Sequence, residues 1–97
     1  MSISKVIENI LNEIKAGYYF DSHFIIQRIM EKEEYTDQYI RFSAKFAESD
    51  KPTFTTHQQI GQQIAKFEGD LVERQKGQSF STNIHGNGSE CALWKRI

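Results

Sequence analysis

The segment FSTNIHGNGSECALWK, residues 80–95, differs in kind from everything before it. FSTNI and SECALWK have β-type composition and enclose the Gly/Asn-rich run HGNG, so the segment reads as a C-terminal β-hairpin beginning after Gly77. Asn87-Gly88 suits a tight turn, because both residue types tolerate the positive φ that two-residue hairpin turns demand. Phe80, Ile84, Cys91, Leu93 and Trp94 are its expected apolar contacts. They do not alternate strictly, which leaves the register open.

Upstream of the hairpin the hydrophobic period is helical. Thr56 stands three residues before Gln59, the spacing of a capping box, and Ile60, Ile64 and Phe67 share one face, which predicts a helix over 56–68. Gly69 ends that helix unless Leu71 continues its stripe. ESDKPTF, residues 48–54, holds the only proline and reads as a surface loop. Before it, Tyr35, Tyr39, Phe42 and Phe46 recur at i, i+4, i+7 and i+11, a helix whose aromatic stripe reads as core. Phe24, Ile25, Ile26, Ile29 and Met30 mark a further helix, capped by Asp21 or Ser22 and closed by the polar run Glu31–Glu34. Tyr18, Tyr19 and Phe20 read as an aromatic connector. The first helix is the clearest: Ile3, Val6, Ile7, Ile10, Leu11 and Ile14 form one unbroken face, and Gly17 stands where a C-cap belongs.

The expected fold is therefore mainly α with a C-terminal β-hairpin, as one domain over residues 1–97. An amphipathic helix (1–17) precedes a helical core and hairpin (21–97). Hydrophobic residues at 38% and charged residues at 26% are the composition of a chain that folds. No apolar run approaches the eighteen or so residues of a membrane span. The N-terminus lacks the pattern of a secretory leader, and one cysteine, Cys91, makes no internal disulfide, so a cytoplasmic setting is expected.

Three to four helices followed by a hairpin wing resembles the winged helix-turn-helix class over roughly Asp21 to Ile97. The resemblance rests on element order. It implies that the helix before the hairpin enters the major groove of duplex DNA while the wing follows the backbone. On that helix Gln58, Gln59, Gln62 and Lys66 turn outward, with His57 and Gln63 flanking the apolar stripe. Glutamine can bond adenine bidentately, and lysine can reach phosphate or guanine. Arg74, Lys76, Lys95 and Arg96 would hold the phosphates, with Asn83 and His85 as polar groups at the hairpin tip.

Charge tempers this reading. The net charge is −1. Residues 1–70 carry eight Lys/Arg against eleven Asp/Glu, while residues 71–97 carry four against two, so only the tail is mildly basic. Glutamine is also simply a good, soluble helix former. The alternative is a non-enzymatic protein-interaction module on the same scaffold, in the manner of small accessory or inhibitor proteins of mobile elements. The wide apolar stripe of the first helix leaves room for a homodimer.

Nothing points to an enzyme, a metal or a cofactor. His23, His57 and His85 are far apart along the chain and no pair has metal-ligand spacing. GNG at Gly86–Gly88 lacks the lysine and the following helix of a phosphate loop.

Overall fold

The computed structural model describes all 97 residues. In chain order it comprises α1 (Ile3–Glu13), β1 (Tyr19–Asp21), α2 (Ser22–Ile29), α3 (Glu33–Ser43), a 3₁₀ turn (Ala44–Phe46), α4 (Pro52–Ala65), β2 (Val72–Thr82) and β3 (Gly88–Arg96). The three strands form one antiparallel sheet in the order β1-β3-β2. The C-terminal hairpin is present, and the chain is mixed α/β rather than mainly α.

The extra strand is the reason. Two residues of the Tyr18–Phe20 connector, Tyr19 and Phe20, join Asp21 to form β1, which pairs with the C-terminal end of β3 so that Phe20 lies beside Trp94. A three-residue strand is too short to display period-2 alternation, and its one mark is the buried Phe20 between the exposed Tyr19 and the half-buried Asp21. Gly17 does not cap α1, which ends on Ile14. It turns the chain into β1 with φ +93° and donates its N–H to the Arg96 carbonyl at 2.6 Å. Glu33 and Glu34 open α3 rather than closing α2, as acidic residues favour a helix N-terminus.

α4 begins at Pro52, four residues before the expected start. Proline at the first helical position presets φ and lacks only an N–H that would be unpaired anyway. Thr56 is therefore no cap. It is buried, and its hydroxyl donates to the Pro52 carbonyl at 2.8 Å. The helix stops at Ala65 and turns through Gly69 (φ +90°), so neither residues 66–68 nor Leu71 extend it. β2 then starts at Val72, well before Gly77. The pairing shifts between Arg74 and Gln78, with Gly77 at φ +76°, and this bulge hides the alternation from the sequence. The hairpin turn spans Asn83–Asn87 rather than Asn87-Gly88: the Asn83 N–H donates to the Asn87 carbonyl at 2.8 Å and Gly86 takes the positive φ. Phe80 is 74% exposed and contributes nothing to the core.

One buried cluster holds these elements. Ile3, Val6, Ile7, Ile10 and Leu11 of α1 meet Ile25, Ile26 and Ile29 of α2, Tyr35 and Phe42 of α3, Ile60 and Ile64 of α4, and Phe20, Val72 and Trp94 of the sheet. Arg96 stitches sheet to helix by donating to the carbonyls of Leu11 (2.8 Å), Leu71 (3.3 Å) and Ile97.

The entry to α2 carries a testable local energy. Asp21 caps it, accepting from the Phe24 N–H at 2.8 Å, and its other oxygen accepts from the Ser79 hydroxyl at 2.8 Å. Burial pushes this carboxyl's pKa up. The hydrogen bonds from Phe24, Ser79 and Ser81 and the nearby His23 outweigh that, so it lies below the ordinary value. Asp21→Ala is expected to lower stability by about 1 kcal/mol in urea unfolding at neutral pH, and Asp21→Asn by less, since asparagine still caps.

Candidate functional site

The helix α4, the hairpin and the start of α2 enclose a groove of about 610 Å³. Its floor is apolar: Ile26 of α2, Ala65 of α4, Ala92 and Trp94 of β3. Phe54, 65% exposed, stands on its rim. Polar groups reach in from both sides, Gln58 and Gln62 from α4, and Arg74, Asn83, His85 and Glu90 from the hairpin. An apolar floor beneath polar side chains makes this groove a candidate recognition site.

All three histidines converge here, although they are distant along the chain. The topology does this: His23 opens α2 beside β3, His57 sits on α4, and the hairpin tip folds over so that His85 stacks on His57. Their ring centroids are 6.3 Å apart and the planes tilt by 14°. Tyr39 of α3 anchors the stack from behind, its hydroxyl 2.8 Å from His57 Nε2. Burial, then the neighbouring His85 and His23, push the His57 pKa down to about 4, so its ring is neutral at neutral pH. Burial also raises the Tyr39 phenol, which stays protonated. His23 is held between two hydroxyls, Ser81 Oγ at 2.7 Å from Nδ1 and Ser89 Oγ at 3.2 Å from Nε2. No carboxylate hydrogen-bonds any of the three rings; the side-chain partners of His23 and His57 are the hydroxyls of Ser81, Ser89 and Tyr39. No grouping of three His, Cys, Asp or Glu side chains has the geometry to hold a metal ion.

The residues singled out from the sequence divide into three groups. Gln58, Gln62, Arg74, Asn83 and His85 line the groove together. Gln59, Lys66 and Lys76 lie outside it, Lys66 at the end of α4 and Lys76 in the β2 bulge. Lys95 and Arg96 belong to the sheet's first half: the Lys95 ammonium lies 5.8 Å from the Tyr19 ring centre, and Arg96 makes the ties to Leu11, Leu71 and Ile97. The Arg74 guanidinium is also engaged internally. It donates to the carbonyls of Gln75, Gly77 and Leu93 and lies 5.6 Å from the Trp94 ring. The Asn83 amide oxygen accepts from the His85 and Asn87 N–H groups, which shapes the turn.

Phe54, Gly61 and Ser89 also line the groove, with Ser22, Thr53 and Cys91, and Gly61 carried a signal in the sequence. Gly61 sits in the middle of α4, where glycine costs about 1 kcal/mol relative to alanine. A Cβ there would meet nothing within 4 Å, so no packing inside the chain requires its absence. Gly61→Ala is accordingly expected to raise stability by about 0.5–1 kcal/mol in thermal or urea unfolding.

Comparison of the chain with models of protein families, with curated proteins and with solved structures finds no match.

Proposed function

We propose that this protein is a non-enzymatic protein-interaction module that binds through the groove between α4 and the hairpin. The carrying observation is the composition of that groove. Its floor is apolar, its rim carries an exposed phenylalanine, and its formal charges, Arg74 and Glu90, cancel. Such a surface suits a peptide segment with an apolar anchor and neutral polar flanks. It suits a polyanion poorly, because phosphate contacts need free cations, and both Arg74 and Arg96 are committed to backbone carbonyls. The hairpin tip is also packed on α4 through His85, rather than projecting as a wing would to follow a duplex.

Duplex DNA is the second reading, and one observation favours it. A helix followed directly by a hairpin, with Gln58, Gln62, Asn83 and His85 on a shared surface, is the arrangement on which the winged helix-turn-helix resemblance rests. The two readings separate cleanly. Peptides selected from a random displayed library are expected to bind the protein and to lose binding to Gly61→Leu, which fills the groove from an open position. Fluorescence anisotropy with mixed-sequence duplexes is expected to show no binding that falls steeply between about 50 and 200 mM salt. Steep salt dependence with further loss in Gln62→Ala and Lys66→Ala would transfer the conclusion to DNA.

A further inference from the structure

We infer that a partner seated on this groove is a second copy of the chain, with two α4 helices packed antiparallel across a twofold axis. This rests on the reading of the surface as protein-binding and names the partner.

The first observation is a second stripe on α4. Its core face is Thr56, Ile60 and Ile64. A different set, Phe54, Gln58, Gly61 and Ala65, recurs at steps of four, three and four residues, the spacing of a helix–helix seam, and Lys51 and Glu68 flank it just outside the two helix ends. None of these residues is buried: Gly61 is half-buried and the other five are exposed. Four of them, Phe54, Gln58, Gly61 and Ala65, line the groove.

The second observation is that the stripe is complementary to its own reverse. Taken with its flanks from both ends inward, it matches the cation Lys51 with the anion Glu68, the ring of Phe54 with the methyl of Ala65, and the long Gln58 with the bare Gly61. A twofold axis across the middle of α4 makes each match twice, because an isologous interface repeats every contact. The Phe54 ring of each copy then enters the groove of the other beside Ala65, and the missing side chain of Gly61 leaves room for the second copy's Gln58.

The third observation is electrostatic. α4 has no acidic residue in its first turn and no basic residue in its last, and its N-cap is Lys51, whose side chain makes no capping bond. The cation at the N-terminus opposes the helix dipole, whereas the C-cap Lys66 favours it; Glu68 lies just beyond, one carboxylate oxygen accepting from the Arg74 N–H at 3.1 Å. Lys51 takes part in none of the chain's ion pairs, which join Lys5 to Glu8, Arg28 to Glu13 and Glu31, and Lys32 to Glu13. An antiparallel second helix brings a Glu68 carboxylate to each unpaired Lys51.

Sedimentation equilibrium of the full chain, over two decades of concentration around the micromolar range, tests this. The chain is expected to dimerise. Lys51→Glu sets like charges against each other twice and is expected to raise the dissociation constant about tenfold. Phe54→Ala is expected to raise it at least as much, and Lys51→Glu combined with Glu68→Lys to restore it. Circular dichroism confirms folding, since Lys51 and Phe54 are exposed. A dimer indifferent to both single changes overturns the inference. So does a chain that stays monomeric throughout. A monomer that still binds groove-selected peptides loses only the second copy as partner, while a monomer that binds none loses the protein-binding reading as well.

Discussion

Replacing Trp94 by alanine is expected to lower stability by about 3–5 kcal/mol, the range for deleting a buried large aromatic side chain. Trp94 is 3% exposed and stands where three parts of the molecule meet. On β3 it faces Phe20 of β1 and Arg74 of β2. Its indole N–H donates to the Ser22 hydroxyl at 3.4 Å, which ties the sheet to the start of α2. Truncation leaves a void under the groove and removes the ring beneath the Arg74 guanidinium. Domains of this size are stable by roughly 5–15 kcal/mol, so the variant should lose a fifth or more of its margin. The readout is the urea midpoint followed by circular dichroism, with an unchanged slope showing that stability rather than cooperativity moved. Trp94→Phe keeps most of the buried area and loses the bond to Ser22, so it should fall well short of the alanine variant. A loss below about 1 kcal/mol for Trp94→Ala would mean that the sheet is not held to the helices through this side chain.

The contrast between Trp94 and Phe80 shows what the sequence could convey. Both are aromatic residues in the same hairpin, and both read as apolar contacts. Only pairing partners separate them, since Trp94 lies against Phe20 while Phe80 lies opposite Glu90 near the hairpin turn, beyond the reach of β1. That information is tertiary. α1 was legible because all its apolar residues serve one face; its Ser2 cap, which accepts from the Lys5 N–H, was not read from the sequence. The cap of α2 was legible as Asp21 or Ser22, and Asp21 is the one that accepts from the helix. The start of α4 was not, because Pro52 serves equally well in a loop and at a first helical turn. For the groove, Gln58, Gln62, Arg74, Asn83 and His85 were identified one by one. What joins them is the hairpin's fold back over α4, which follows from a bulge that breaks period 2 between Arg74 and Gln78. His57 read as a flank of the α4 stripe, and its place against Tyr39 and His85 depends on contacts across three elements.

That placement gives the other large effect, a loss of stability in mild acid that belongs to His57. Its folded-state pKa is about 4, against 6.5 for an unperturbed histidine. As pH falls through 6.5 the unfolded chain takes up a proton that the folded chain refuses, so the unfolded state is favoured increasingly until the folded ring also protonates near pH 4. Above pH 6.5 both states are neutral and the group imposes no penalty. The shift sets a ceiling of about 3 kcal/mol, and partial solvent access to the half-buried ring reduces this to ~2 kcal/mol. Carboxylates do not confuse the upper part of this window. Asp21, whose folded pKa lies below its ordinary 3.8, loses its contribution only at lower pH. Urea unfolding between about pH 7 and pH 5 should therefore show falling stability in the parent and a nearly flat profile in His57→Gln, which keeps a polar partner for the Tyr39 hydroxyl but cannot protonate. Parallel slopes in the two proteins would show that His57 is solvated enough to titrate normally. A flat profile in His57→Gln would locate the acid sensitivity at the contact where the hairpin tip closes on α4. Any partner gripping that surface should then bind less tightly as the ring charges, because charging it sets His57 against His85 and His23.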